Sequence, residues 1–329
     1  MRTATRTATS TALAPVLDMH QFRYSVVIPV FNSEAIVGTT IDRTVAFFES
    51  HGLDYEIILV NDGSSDESWD VLCEAAQHHA HLKIVNLLRN YGQHNANLCG
   101  FRRATGDYVV TMDDDLQNPP EEIIHLIRQA MTGSDVVFGK FRQKQAASTR
   151  NLGSKVIGLI NRRVFGQPPD LVVSNFRILR RDVVNRICAS RSAYPYITGQ
   201  ALLYSSRRAN VEVEHAPRAA GKSNYSPVRI ARLVTRILFS YSLWPLRLSA
   251  AIGFVTSALA FLVGAGFLLR RFFTDARVEG WTSLIVLMAL FNGVMILMLS
   301  MLGEYVLRTL RQVTETESYH VLEEHTGHG

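Results

Sequence analysis

Hydrophobic positions between Tyr24 and Gly139 fall into short runs separated by more polar stretches of helical length. Five of these runs are rich in β-branched residues: Tyr24–Pro29, Tyr55–Val60, Leu82–Leu88, Asp107–Met112 and Asp135–Phe138. Strands that alternate with helices in this way are typical of a parallel sheet covered by helices on both faces. The pattern therefore predicts an α/β domain, and the less regular segment from Gly139 to Pro217 is assigned to its second half.

Capping residues mark where the intervening helices begin and end. Ser33 is placed to cap the first helix, and Gly52 is placed to end it. Asp66 can cap a second helix that runs through Ala80. The segment Pro119–Glu122 opens a later helix with two acids in its first turn, where they complement the helix dipole.

Two long stretches near the C-terminus carry no charged residue. The first has 22 positions between Arg247 and Arg270, and the second has 24 between Glu279 and Glu304. A helix needs roughly 20 apolar residues to cross the hydrocarbon core of a bilayer. We therefore predict two transmembrane helices at about 248–269 and 281–303. The alternative, a pair of buried core helices, usually has shorter segments and a polar face.

The remaining boundaries follow from these two assignments. We predict the following segments: a disordered leader at 1–22, the α/β domain at 23–225, amphipathic interface helices at 226–245, the membrane region at 246–305 and a cytoplasmic tail at 306–329. The leader lacks the apolar region of a signal peptide. Arginines flank both outer ends of the membrane region, so the positive-inside rule favours a multi-pass protein of the inner membrane with its α/β domain in the cytoplasm.

The charge distribution indicates which kinds of partner the chain can bind. The net charge is +5, and the basic residues crowd the second half of the soluble region. This distribution suits an anionic membrane surface or a phosphate, and no nucleic-acid partner is expected. The three cysteines, Cys73, Cys99 and Cys188, have neither metal-ligand nor redox spacing.

The acidic run Asp113-Asp114-Asp115 follows the fourth predicted strand directly. Ligands of open α/β sheets bind at the carboxyl ends of strands. In an extended backbone, Asp113 and Asp115 share one side, where two carboxylates repel each other unless a cation lies between them. Mg²⁺ and Mn²⁺ accept such ligands together with substrate phosphates. The alternative is a solvated acidic turn that caps the next helix.

Four motifs in order resemble the family 2 glycosyltransferases: Ser25–Asn32, Val60–Asp66, Arg89–Gln93 and Asp113–Glu121. Within that family the chain is similar to the polyprenyl-phosphate branch, which includes dolichol-phosphate mannose synthases and bacterial undecaprenyl-phosphate glucosyl and formamido-arabinose transferases. Leu302–Tyr305 resembles a segment near the end of the second span in the bacterial members. The resemblance implies a GT-A-like, Rossmann-like domain with a parallel-centred sheet, and a homo-oligomer, usually a tetramer.

The resemblance also assigns roles to individual residues. The nucleotide is expected to contact Pro29, Phe31, Asp62, Asp114, Arg142, Arg218 and Lys222. The acceptor phosphate is expected to contact Arg150, Ser154, Ser223 and Tyr225. The metal, Mg²⁺ or Mn²⁺, is expected on Asp113, Asp115 and Gln117. The catalytic residues are expected to be Asp113, Asp115, Arg150 and Arg177.

The chain departs from the family pattern at three places. The acid after the first strand is displaced to Glu34, Asn224 stands where the phosphate loop usually has Lys, and Asn175 stands where some relatives have Asp. A general base at Asn175 is therefore not expected. The acceptor needs none, because a phosphate monoester has a second pKa of about 6 and is largely ionised near neutral pH.

The expected function is transfer of a sugar, with inversion, from a nucleotide-sugar to undecaprenyl phosphate for modification of cell-envelope glycans such as lipopolysaccharide. UDP is the expected nucleotide and GDP is the alternative. Two other functions stay open: a processive polysaccharide synthase and a catalytically inactive nucleotide-binding scaffold. The first usually carries a Gln-x-x-Arg-Trp motif, which none of the three tryptophans completes. The intact Asp113 and Asp115 argue against the second.

Overall fold

The computed structural model describes residues 17–142, 148–190, 192, 194–216, 234–235, 237–273, 280–314 and 318–327. The chain divides into two compact units. The first unit contains the sheet and the helices packed on it, and the second contains two long apolar helices.

Eight strands form one sheet in the first unit. They are β1 (Arg23–Val30), β2 (Asp54–Asn61), β3 (Leu82–Leu87), β4 (Tyr108–Thr111), β5 (Val136–Phe141), β6 (Arg177–Arg180), β7 (Arg208–Val213) and β8 (Val321–Thr326). Their order across the sheet is β7-β5-β6-β4-β1-β2-β3-β8. The four central strands β4, β1, β2 and β3 are parallel, whereas β6 and β8 pair antiparallel with their neighbours. The predicted parallel-centred sheet is confirmed.

Helices connect the strands. They are α1 (Val37–His51), α2 (Ser68–His78), α3 (Gln93–Arg103), α4 (Ile123–Ala130), α5 (Ser148–Phe165), α6 (Arg181–Ala189) and α7 (Ile197–Leu203). Short 3-10 turns occur at Met19–Gln21 and Pro120–Glu122. Gly52 ends α1 with φ of 61°, a left-handed conformation that glycine adopts without steric cost, as predicted.

The sheet is covered on both faces because neighbouring side chains of a strand point in opposite directions. Val26 and Ile28 of β1 lie in the main hydrophobic core, to which α1 contributes Phe48. Val27 lies against the other layer, and a side chain on Gly100 of α3 would collide with it. This close approach of helix to sheet requires glycine at position 100.

The central strands all end at one edge of the sheet because they run in the same direction. Val30 and Asn61 are register partners at the ends of β1 and β2, and the acidic run begins two residues after β4 ends at Thr111. The loops that follow these strands therefore meet at the same edge.

The end of the chain differs from the predicted polar tail. Val321–Thr326 form β8, which pairs antiparallel with β3 at the edge of the sheet. Tyr319, just before β8, is 4 % exposed. The Arg102 guanidinium lies over the Tyr319 ring, with Arg102 Cζ 5.4 Å from the ring centroid. Periodicity did not reveal this strand, because all six of its residues are exposed and its pairing is made by the backbone.

Two details near the N-terminus also differ from the prediction. The described end of the leader is ordered against the domain, since Leu17 N donates to Met131 O at 3.0 Å and Tyr24 Oη donates to Met19 O at 2.9 Å. Ser33 does not cap α1 with its side chain. The N-cap of α1 is Ile36, and the Ser33 hydroxyl is used elsewhere in the fold.

The second unit contains helices α8 (Trp244–Phe273) and α9 (Trp281–Thr314). Both are long and apolar enough to cross a membrane by length and composition. Apolar residues such as Phe254, Phe261 and Leu299 are more than 60 % exposed on their surfaces. Within this unit, Tyr305 Oη donates to Ser242 O at 3.1 Å, so the end of α9 contacts the residues just before α8.

Candidate active site

The acidic run begins at Asp113, where it meets the start of α3. Gln93 Nε2 donates a hydrogen bond of 2.6 Å to Asp113 Oδ1, and Gln93 Oε1 accepts one of 3.4 Å from Asn175 Nδ2. Burial raises the pKa of Asp113 to about 6, and the negative charges of Asp115 and Asp114 add to this effect. The three carboxylates therefore form one concentrated negative site.

Asp114 points toward the loop after β1. One of its carboxylate oxygens accepts hydrogen bonds from the Ser33 hydroxyl and from Phe31 N, the latter at 3.3 Å. Its carbonyl oxygen accepts from Thr40 Oγ1 at 2.9 Å. Asp114 therefore joins the first and fourth strand loops, a role that sequence reasoning did not give it.

Asp115 and Gln117 form a tight turn. Asp115 Oδ1 accepts a hydrogen bond of 3.1 Å from Gln117 N, and Leu116 between them adopts a positive φ of 55°. Within the described residues, no preformed group of three or more acidic, histidine or cysteine ligands is present. The donor set nevertheless suits a hard divalent cation, because Asp113 and Asp115 repel each other and such an ion completes its shell with substrate oxygens and water.

Asp62 follows β2 and holds the loop after β3. Its two carboxylate oxygens accept hydrogen bonds from Tyr91 N at 2.7 Å and Gly92 N at 2.9 Å. Burial raises its pKa to about 6, although these two bonds act in the opposite direction. Gly63 lies so close to the backbone of Arg89 that any side chain there would collide. The second and third strand loops thus form one wall of the site.

Arg177, at the start of β6, is a fully buried cation beside the acidic run. Its side chain is 0 % exposed, and its Nη1 donates to Thr198 Oγ1 at 2.9 Å. Within the described part of the chain, its Nε and Nη2 have no hydrogen-bond partner. Burial lowers its pKa to about 10, while the charges of Tyr196 and Asp113 favour the protonated form. An incompletely satisfied buried guanidinium is a strong anion ligand.

His94 lies in the same buried pocket and was not found from the sequence. Its ring meets that of Tyr196 edge to face, with centroids 5.3 Å apart. Burial, with a contribution from the charge of Arg177, lowers the pKa of His94 to about 3. His94 is therefore neutral at physiological pH, and Arg177 is the cation beside it. No local pattern marks His94 or Thr198, but Gln93 belongs to the recognised motif Arg89–Gln93.

The residues of the first loop have distinct environments. Pro29 is buried within β1, whereas the Phe31 ring is 48 % exposed at the edge of the site. Asn32 adopts a positive φ of 52°. The displaced acid Glu34 accepts a hydrogen bond of 2.9 Å from Glu67 N, so it supports the start of α2. Only Phe31 among these side chains offers an open apolar surface to a ligand.

The basic residues of the prediction are only partly described. Arg142 lies just after β5 and forms an exposed ion pair with Glu212, at 3.5 Å between Nε and Oε2. Arg150 and Ser154 lie on α5, but their side chains are outside the described part. Arg218, Lys222, Ser223 and Tyr225 are outside the described residues altogether. The structure therefore brings Arg177 near the acidic run, and every phosphate contact, including that of Arg177, stays a prediction.

The region of the chain that contains the acidic run is similar to known proteins. The family model described as glycosyl transferase family 2 matches residues 25–188. An undecaprenyl-phosphate 4-deoxy-4-formamido-L-arabinose transferase from Pectobacterium carotovorum is 37 % identical over 300 residues, which cover 90 % of this chain and 92 % of the relative. Transferases of the same name from Pectobacterium atrosepticum and Photorhabdus laumondii are 36 % and 33 % identical, over 90 % and 91 % of this chain and 92 % and 93 % of theirs.

A solved structure shares the fold. Glucosyl-3-phosphoglycerate synthase from Mycobacterium tuberculosis, determined with Mn²⁺, uridine diphosphate and phosphoglyceric acid, superposes with a TM-score of 0.51. The match covers 67 % of this chain and 77 % of that one at 17 % sequence identity. The likeness at this identity concerns the architecture of the catalytic domain.

Proposed function

The chain belongs to glycosyl transferase family 2, and we propose that this glycosyltransferase moves a sugar from a UDP-sugar to undecaprenyl phosphate. The single observation that carries the proposal is the acidic run after β4. There, burial raises the pKa of Asp113, the charges of Asp115 and Asp114 add to this effect, and the buried Arg177 supplies an opposite charge. The relatives named for undecaprenyl-phosphate transfer match along nine-tenths of the chain.

The donor site is proposed at the edge formed by the first three strand loops. Phe31 offers an exposed ring on which a nucleobase can stack, and Asp62 holds the opposite wall through its bonds to Tyr91 N and Gly92 N. Asp113, Asp115 and Gln117 would hold Mg²⁺ or Mn²⁺. Such an ion, when bound, neutralises charge that develops on the departing diphosphate.

The acceptor is proposed to approach on the side of Arg177. Its phosphate attacks the anomeric carbon in line with the leaving nucleoside diphosphate, which inverts the configuration. The phosphate monoester is already ionised near neutral pH, so the protein must position two anions rather than remove a proton. Arg177 has two buried guanidinium nitrogens without partners among the described residues, and we propose that an anionic oxygen of the acceptor enters this pocket and pairs with them. Arg150 and Ser154 are proposed as further acceptor-phosphate contacts.

Chain connectivity supports a membrane hairpin. The seven residue steps from Thr314, at the end of α9, to Val321 in β8 span at most about 25 Å. The hydrocarbon core is about 30 Å thick, so this segment is too short to cross it. We propose that both ends of this hairpin lie on the cytoplasmic side, which the positive-inside rule favours. A homo-oligomer, which the family resemblance implies, stays a prediction.

The test uses the full-length protein purified in detergent. It is mixed with a short undecaprenyl-type phosphate, Mn²⁺ or Mg²⁺, and a panel that includes UDP-glucose, UDP-4-deoxy-4-formamido-L-arabinose and GDP-mannose. Formation of a lipid-linked monosaccharide with release of UDP from one of the UDP donors is expected. The panel identifies the sugar. Release of UDP that requires a growing glycan in place of the lipid phosphate, or no transfer from any UDP-sugar, would contradict the proposal.

A further inference from the structure

Three polar side chains lie in one row across the edge of the sheet. Asn61 of β2 is the register partner of Asn86 of β3, and Asn86 is the register partner of Glu323 of β8. Register partners on adjacent strands point to the same face. The row therefore runs from the C-terminal strand toward the donor side of the candidate active site.

Hydrogen bonds connect this row without a break. Asn86 Nδ2 donates to Glu323 Oε1 at 3.3 Å, and Asn61 Nδ2 donates to Asn86 Oδ1 at 2.9 Å. Asn61 Oδ1 in turn accepts from Ser64 Oγ at 2.5 Å and from Ser64 N at 3.3 Å. Asn61 is 2 % exposed and Asn86 is 9 % exposed, so water does not readily replace these bonds.

The row ends at the loop that follows β1. Ser64 Oγ accepts a hydrogen bond of 3.0 Å from Asn32 N, and Asn32 Oδ1 accepts one of 2.9 Å from Ser65 N. Asn32 has a positive φ and directly follows Phe31, the exposed ring of the site. The orientation of Ser64 thus contributes to how the Phe31–Asn32 turn is held, together with the bonds from Phe31 N to Asp114 and from Ser65 N to Asn32.

A second contact from the same chain end reaches the opposite wall. Leu88 N donates to His320 O at 3.0 Å, and the His320 ring lies edge to face with Tyr91 at 6.3 Å between centroids. Tyr91 N is one of the two donors to Asp62. The segment that precedes β8 therefore contacts the loop after β3, which Asp62 holds.

From this arrangement we infer that Glu323 is a positioning residue for the nucleotide of the donor. It acts through Asn86, Asn61 and Ser64 on the Phe31–Asn32 turn, and it does not touch the substrate. The inference rests on the proposed function for the identity of the ligand, a nucleoside diphosphate. The coupling between β8 and the first loop stands on the hydrogen bonds alone. The C-terminal strand, which returns from the membrane helices, thereby completes the donor side of the site.

The test compares three full-length variants: Glu323→Ala, Glu323→Gln and Glu324→Ala. Gln retains an acceptor oxygen for Asn86. Glu324 is the matched control, since it has the same charge and similar exposure but its carboxylate pairs with Arg103 at 2.8 Å. Hydrogen–deuterium exchange is measured at the amides of Asn32 and Ser64 without ligand. UDP affinity is measured by calorimetry, and KM is measured for donor and acceptor separately.

Glu323→Ala is expected to accelerate exchange at both amides and to weaken UDP binding by about 3- to 10-fold, the effect of one hydrogen bond that acts indirectly. Donor KM should rise similarly and acceptor KM should stay unchanged. Glu323→Gln should keep the amide exchange rates and the UDP affinity close to those of wild type, and Glu324→Ala should resemble wild type. Unchanged exchange in Glu323→Ala, or equal effects in Glu324→Ala, would overturn the inference. If exchange responds as expected but wild type binds no UDP, the coupling is supported and the proposed donor is wrong.

Discussion

Gln93 and Asp113 are joined by a hydrogen bond of 2.6 Å although they begin different segments of the fold. Gln93 is the first residue of α3, and Asp113 follows β4. The same amide accepts a bond from Asn175 Nδ2, so the loops after β3 and β4 and the residues before β6 share one polar chain. This bond orients one oxygen of Asp113, whose carboxylate also feels the negative charge of Asp115. The acidic run is thus held in a defined geometry from outside its own segment.

Removal of the divalent ion should abolish transfer. If Asp113 and Asp115 hold the ion against the diphosphate, excess chelator should stop the reaction and added Mn²⁺ or Mg²⁺ should restore it. Asp115→Asn should lower kcat at least about 100-fold while thermal unfolding stays cooperative. Transfer assays with and without chelator measure this, and Asp107→Asn, outside the site, is the control. Full activity in excess chelator would rule out the metal role.

Arg177→Lys should strongly reduce catalysis. Lys retains a positive charge but cannot reproduce the fork of guanidinium donors, two of whose nitrogens have no partner within the described residues. Loss of one anion contact in the transition state costs about 2 to 4 kcal/mol, or about 30- to 1,000-fold in kcat/KM. Arg180→Lys, in the same strand but paired with Asp182 at the surface, should change the rate less than about 3-fold. Equal effects in the two variants would contradict a role in catalysis.

Arg150→Ala should impair use of the lipid acceptor. The family resemblance places Arg150 on the acceptor phosphate, so its loss should lower kcat/KM for the acceptor by about 30- to 1,000-fold. Nucleotide-sugar binding should change much less. Acceptor-dependent turnover, measured beside calorimetric binding of the nucleotide, separates the two effects. Loss of nucleotide binding with normal acceptor kinetics would move Arg150 to the donor site.

Stability should decrease in acid through Glu56. Burial alone would raise the pKa of this carboxyl, but bonds from Lys83, Ser25 and Thr105 lower it to about 2. Because the folded pKa lies below the unfolded value of 4.5, the unfolded state binds more protons, and this stabilisation is lost as pH falls from about 5 toward 2. Wild type should therefore lose its stability advantage over Glu56→Gln across that range. Thermal unfolding of both proteins at several pH values measures the difference, and a constant gap would contradict it.

Both ends of the helical hairpin should be cytoplasmic. An impermeant thiol reagent should label an engineered cysteine at Thr274 in intact cells, where only the outer face is exposed. It should not label this cysteine in inverted membrane vesicles, where only the cytoplasmic face is exposed. A cysteine at Thr316 should react from the cytoplasmic face only, because β8 follows it within a few residues. Outer-face labelling at position 316 would overturn the hairpin.

Local sequence predicted the parts of this protein that depend on local physics. Alternating β-branched runs indicated the strands β1 to β5, because each buried strand needs apolar side chains on both faces. The acidic run at Asp113 could be placed at the carboxyl end of a strand for the same reason. Charge-free runs of more than 20 residues indicated the two long helices, because length and hydrophobicity alone decide whether a helix can span a bilayer.

Tertiary structure decided the features that depend on partners distant in the chain. Ser33 satisfies its hydroxyl with Asp114, 81 positions away, and not at a helix N-terminus. Glu323 meets Asn86 across 237 positions, and β8 exists because an open edge of β3 offers backbone donors and acceptors. Arg177 has the same local sequence signature as an exposed arginine, yet the pairing of β6 with β4 buries it beside Asp113. Hydrogen bonds and burial of this kind are set by which segments the fold brings together, and no local pattern of side chains contains that information.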